Sequence, residues 1–175
     1  SKLWDVPTPD GKLTPAMIRD AFIGRGDVHH VQPTVVSITQ STELGTLYSV
    51  DEVKAIADTT HELGMYLHMD GARISNAAVS LGVEIRETTG DAGVDVLSFG
   101  GTKNGLMGGE AVVFFHPELA ENTGLIRKQQ MQLSSKMRFI SAQFLALFEH
   151  DLWRHNAAHA NAMAQRLHDA VVDVP

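Results

Sequence analysis

Apolar positions along this chain keep two rhythms. Short runs that are apolar throughout or alternate at every second residue read as strands, and runs with apolar residues every three or four positions read as helices. "TVVSITQ" (Thr34 to Gln40) is β-branched and apolar, as is "MYLHMD" (Met65 to Asp70) in part, and "VDVLSFG" and "GEAVVFFH" follow the same rule. Between them the helical rhythm takes over. Thr14 precedes Pro15, which suits an N-cap followed by the first helical position. Ser49 and Glu52 have the spacing of a capping box, and Gly64 closes the helix they open. "ARISNAAVSLG" predicts two or three helical turns ending at Gly82. From Pro117 onward the pattern is helical, and Ser134–Val172 fits one long helix or two with a bend.

Strands that alternate with helices predict parallel βαβ units with right-handed crossovers. The expected fold is therefore α/β, a mostly parallel sheet with helices on both faces. The length, 175 residues with 43% hydrophobic content, fits one domain better than two. A net charge of −7 and the lack of a basic stripe argue against a nucleic-acid partner. The chain has no cysteine, which excludes disulfides and thiolate metal sites. No run reaches the roughly 18 apolar residues of a membrane span, and the N-terminus lacks a signal-peptide core. A cytoplasmic location is the default expectation. The chain opens without an initiator methionine and stops at "VVDVP", where a new strand could begin, so it reads as a piece of a longer protein.

In open α/β sheets ligands gather at the carboxyl ends of the strands. Asp70 ends the run "MYLHMD", and Lys103 follows the end of "VDVLSFG", 33 residues on, with one helix between them. That is a suitable length for a crossover. Both side chains are therefore expected at one edge of one sheet. Taken alone, Lys103 is a solvated loop lysine and Asp70 is the N-cap of the helix in "GARISNAA". Together they offer more. A lysine in a glycine-rich segment (Gly100, Gly101, Gly105, Gly108, Gly109) can form a Schiff base if its amine loses its proton, and the glycines would let backbone approach a flat cofactor. Pyridoxal phosphate needs such a lysine, and an acid facing its pyridine nitrogen as well. Arg73, placed one helical turn from Asp70, has a fork suited to a carboxylate or a ring hydroxyl oxygen.

"HMDGARISNAAVSLG" followed by "VDVLSFGGTKNGLMGGEAVVFF" resembles the threonine aldolase and β-eliminating lyase family of fold-type-I pyridoxal-phosphate enzymes, and within it the low-specificity L-threonine aldolases. The similarity runs from about Trp4 to the long C-terminal helix. It implies that Lys103 carries the cofactor, that Asp70 pairs with the pyridine nitrogen, and that Arg73 holds the ring hydroxyl or the substrate carboxylate. It implies that Arg138 in "SSKMRFISAQ" reaches the cofactor phosphate, often that of a neighbouring subunit, and that Thr102 positions the lysine or the phosphate. Residues 1–150 are then part of a cofactor-binding large domain. Residues 151–175 form a helix leading towards a small domain outside this chain. The implied reaction is retro-aldol cleavage of L-threonine or a related β-hydroxy-α-amino acid, in a homodimer or homotetramer.

One departure stands out. The family often carries an Asn-Thr-His-Asn segment after its first strand here, and this chain reads "TQSTELGT", with Glu43 where the histidine falls. A buried carboxylate can take a proton from the substrate's β-hydroxyl, so Glu43 is the acid–base candidate; as an inert loop charge it does nothing. Alternatives to the aldolase reading are a β-eliminating amino-acid lyase on the same scaffold and a non-catalytic protein that kept the fold. His155 and His159 share a helix face at metal-site spacing, but no third ligand is evident, so no metal is expected. The stripe Ile140, Phe144, Leu147 and Phe148 is read as packing surface.

Overall fold

The computed structural model describes residues 2–174. Four strands form one sheet in chain order: β1 (Val35–Thr39), β2 (Tyr66–Gly71), β3 (Val96–Gly100) and β4 (Glu110–Phe114). The first three run parallel and β4 is antiparallel to β3. Helix α1 (Pro15–Ala21) precedes the sheet, α2 (Val50–Glu62) joins β1 to β2, and α3 (Ile74–Leu81) joins β2 to β3. Beyond β4 come α4 (Thr123–Gln129), α5 (Arg138–Phe148) and α6 (Leu152–Val171).

Local chemistry accounts for the helix ends. The Thr14 side chain accepts from the Met17 N–H, with Pro15 as the first helical residue of α1. In α2 both halves of the Ser49–Glu52 capping box form. Helix α3 closes on Gly82, whose φ of 69° is the left-handed conformation that glycine adopts without a Cβ penalty. The long C-terminal pattern resolves as two helices. His150 and Asp151 take positive φ between α5 and α6, so the chain changes direction there.

The strands bury alternate residues rather than both faces. Val36 and Ile38, Leu67 and Met69, Leu97 and Phe99 share the buried face, and they join Val53, Ile56, Ile74, Ala78, Leu147 and Trp153 in one core. The other face carries Val35, Ser37, Tyr66, His68, Asp70 and Val112, exposed or half-buried. Part of the α5 stripe packs on the core: Leu147 is buried, and Phe144 and half-exposed Phe148 lie against Phe99 with ring centroids 6.2 and 5.6 Å apart.

The edge opposite the strands' carboxyl ends is pinned by Asp95, whose side chain is 3% exposed. Its carboxylate accepts from the Leu67 N–H at 2.6 Å and meets His61 Nε2 and His116 Nε2 at 2.9 Å each. A buried carboxylate is tolerated where its lone pairs are met in this way. This contact ties α2, the start of β2 and the end of β4 to β3, and it fixes the register that sets the far edge.

Candidate active site at the carboxyl edge of the sheet

Three consecutive strand ends build the site. In register, Thr39, Asp70 and Ser98 lie side by side on β1, β2 and β3. After β1 the chain loops outward through Glu43, and this loop is closed by buried Gln40. The Gln40 side chain donates to the Tyr48 carbonyl at 2.8 Å and accepts from the Tyr48 N–H at 3.0 Å. After β2 comes the turn to α3. After β3 comes the loop to β4, where Thr102–Asn104 make a single 3-10 turn that carries Lys103. Asp70 and Lys103 thus stand at the ends of adjacent parallel strands, as the topology predicts.

Asp70 itself is not the N-cap of α3. The strand continues through Asp70 to Gly71, and the N-cap position belongs to Arg73, which makes no side-chain cap. The Asp70 Oδ1 instead accepts from the Ala72 N–H at 2.9 Å, which shapes the turn out of the strand. For the same reason Arg73 is not one helical turn from Asp70; it lies beyond a sharp turn, and its Nη1 meets Glu43 Oε1 at 3.2 Å. The two side chains are 41% and 76% exposed. Glu43 therefore pairs with the very arginine implied to bind ligand. The burial that a carboxylate base draws on is not supplied among the described residues.

The glycines near Lys103 also do something other than expected. A Cβ at Gly100 would collide with the Ala72 backbone, and one at Gly101 would stand 2.6 Å from the Gly109 carbonyl oxygen. Gly109 faces Phe144 and Ile140 of α5. Most of these positions are empty so that the chain can pack on itself, with only Gly108 facing open space. Thr102 works in the same loop: its hydroxyl accepts from the Gly109 N–H at 3.1 Å and lies 3.4 Å from the Gly109 carbonyl. Arg138 opens α5, a helix tied to this loop by the Met107 N–H donating to Gln143. Its guanidinium lies over the Phe139 ring and makes no ion pair among the described residues. Lys103 is exposed and likewise without an ion pair among them, and Asp70 Oδ2 accepts no hydrogen bond there. An amine and a carboxylate oxygen are thus available at one edge for a ligand.

His68 belongs to this edge and was not singled out from the sequence, although its place two residues before Asp70 puts both on one sheet face. Its Nδ1 lies 2.8 Å from Ser37 Oγ and its Nε2 2.9 Å from Ser98 Oγ. A neutral imidazole donates from one nitrogen and accepts at the other, so one serine is donor and the other acceptor. Burial pushes the His68 imidazole below its ordinary proton affinity, and the Asp70 charge partly opposes this. The unfolded chain then takes up the proton first as pH falls through about 6.5, and folding stability drops until the folded ring titrates too. His68→Asn is expected to flatten the fall in stability as pH drops through about 6.5, measured by denaturant unfolding. Parallel wild-type and variant curves would refute this.

Comparison with known proteins agrees with the geometry. The family model described as beta-eliminating lyase matches residues 1–175. The chain is 53% identical, over its whole length, to the low specificity L-threonine aldolase of Pseudomonas sp. (strain NCIMB 10558), and 52% identical to that of Pseudomonas aeruginosa. It covers 51% of each of these relatives, so it spans about half their length. The structure superposes on the threonine aldolase of Leishmania major with a TM-score of 0.90 at 34% identity, over 97% of this chain and 50% of that one. An α/β fold with a largely parallel sheet, the match to a threonine aldolase structure and the full-length family match lead to one conclusion: the chain belongs to the beta-eliminating lyase family.

Proposed function

We propose that the protein cleaves L-threonine or a related β-hydroxy-α-amino acid to glycine and an aldehyde, using pyridoxal 5'-phosphate. The observation that carries this reading is the convergence of Lys103 and Asp70 at adjacent parallel strand ends, each with a polar atom unengaged among the described residues. When bound, pyridoxal phosphate supplies the electron sink that lets a Cα–Cβ bond break. The chain's own residues do the rest. Lys103 Nζ holds the cofactor covalently and afterwards is free to hold a proton. Asp70 Oδ2 supplies the negative charge beside the pyridine nitrogen. Arg73 binds the ring hydroxyl or the substrate carboxylate, with Glu43 orienting its guanidinium. Thr102 steadies the lysine turn, and Arg138 is assigned to a phosphate.

Exposed Leu125, Ile126, Leu133, Phe139 and Leu145 on and around α4 and α5 support a homodimer or homotetramer. No helix among the described residues is long and apolar enough to cross a membrane. We assign the protein to the cytoplasm.

The test is to add pyridoxal phosphate and L-threonine to the full-length protein and measure acetaldehyde and glycine. Equal amounts of the two are expected. A keto acid with ammonia would instead make it a β-eliminating lyase, and the lack of either product pair would leave a non-catalytic relative.

A further inference from the structure

The turn that carries Lys103 is held from behind by a helix far away in sequence. Asn104 is 5% exposed. Its side-chain Nδ2 donates to the Trp153 carbonyl at 3.0 Å, and its backbone carbonyl accepts from Asn156 Nδ2 at 2.8 Å. Both partners lie in the first turns of α6. The fit is close: Gly105 has φ 116°, and a Cβ there would stand 2.7 Å from Asn156 Nδ2. The Asn104 Oδ1 is buried without a partner among the described residues. A buried side-chain atom left unpaired is costly, and an apolar residue would avoid the cost. On the other side of Lys103, Thr102 is bonded to Gly109.

We propose that Asn104 and Asn156 are positioning residues for Lys103: they lock the lysine turn to α6 and so set the height and direction from which the amine reaches the cofactor. Neither touches the reacting atoms. The inference rests on the assignment of Lys103 as the cofactor lysine. Stiffness here matters because the lysine side chain is long, exposed and otherwise without a partner among the described residues. An amine on a loose turn samples many positions, and attack on an aldehyde requires one.

Asn161 gives the control. It sits on the same helix and makes comparable amide contacts, donating to the Asn76 carbonyl at 3.0 Å and to Ser80 Oγ at 2.9 Å, both on α3 and not on the lysine turn. The experiment uses the full-length protein freed of cofactor. Pyridoxal phosphate is added at a limiting concentration, the adduct is fixed with borohydride, and the modified lysine is mapped by mass spectrometry. Visible circular dichroism of the bound chromophore is recorded alongside the melting temperature. Asn156→Ala and Asn161→Ala are expected to lower the melting temperature alike. Only Asn156→Ala should reduce the initial rate of Lys103 modification, by up to about a hundredfold, the cost of misplacing a reacting group by roughly 1 Å, and weaken the dichroic band. Asn156→Asp keeps the shape and removes the donor, and it should behave like Asn156→Ala if that variant does not fold. Equal modification rates in Asn156→Ala, Asn161→Ala and wild type would overturn the clamp while leaving the lysine assignment intact. Wild-type protein modified elsewhere than Lys103 would overturn both.

Discussion

Replacing Lys103 with alanine is expected to abolish covalent capture of pyridoxal phosphate and to lower turnover of L-threonine by about 10²- to 10⁴-fold or more, the range that loss of one positioned proton-transfer group alone produces. The size follows from the double use of one nitrogen. On the proposed reading, Lys103 Nζ would be both the nucleophile that holds the cofactor and an amine able to hold a proton when released from it. Nothing in the fold depends on it. The side chain is exposed and makes no ion pair among the described residues, and the turn around it is fixed by Thr102 and Asn104 instead. Compared free of cofactor, Lys103→Ala and wild type should therefore share one melting temperature, which separates loss of chemistry from loss of structure. Lys103→Arg keeps the charge and stays protonated at any working pH, so it should fail as fully as the alanine variant. Mass mapping after borohydride reduction and an acetaldehyde assay check both points. Adduct appearing instead at Lys54 or Lys128, with turnover intact, would remove the assignment.

The features legible in the sequence are those set by neighbours within a few residues. The Ser49–Glu52 box and the Gly82 cap depend on local hydrogen bonds and φ, and both form as read. The pairing of two strand ends was legible because parallel topology sends carboxyl ends to one edge. What failed needed knowledge of where a strand stops. Asp70 looks like a cap only if the helix begins directly after it, but pairing with β1 through Asp70 and with β3 through Gly71 carries the strand on. The chain then needs Ala72 and Arg73 to turn. The glycines of the lysine loop suggest close approach of a flat ligand, because sequence shows the missing Cβ but not the Ala72 backbone or Gly109 carbonyl that stands in its place. The clamp on Asn104 lay beyond reach for a third reason. Its partners, Trp153 and Asn156, are about 50 positions away, and the break at His150 and Asp151 that swings α6 back towards α3 has no strong local signal.

Asp70→Asn is expected to reduce turnover by about 10- to 1,000-fold while leaving capture at Lys103 in place. An opposite charge within contact distance holds a proton on its partner by about one to three pKa units, each worth a factor of ten. Asparagine keeps an oxygen where Oδ1 accepts from the Ala72 N–H, so the turn out of β2 is preserved. The substitution also leaves the His68 hydrogen bonds to Ser37 and Ser98 in place, although the imidazole loses the Asp70 charge that opposes its desolvation. Only the charge is lost, which makes this the narrower probe of the pair. It separates two ways in which an acid can serve this edge. If Asp70 acts by shaping the turn, asparagine restores it and turnover is unchanged. If it acts by keeping a ring nitrogen protonated, no neutral residue can replace it, and the loss should appear in kcat with little change in the amount of cofactor fixed by borohydride. Turnover equal to wild type would show that the carboxylate, though at the right strand end and free on one oxygen, faces something other than a pyridine nitrogen.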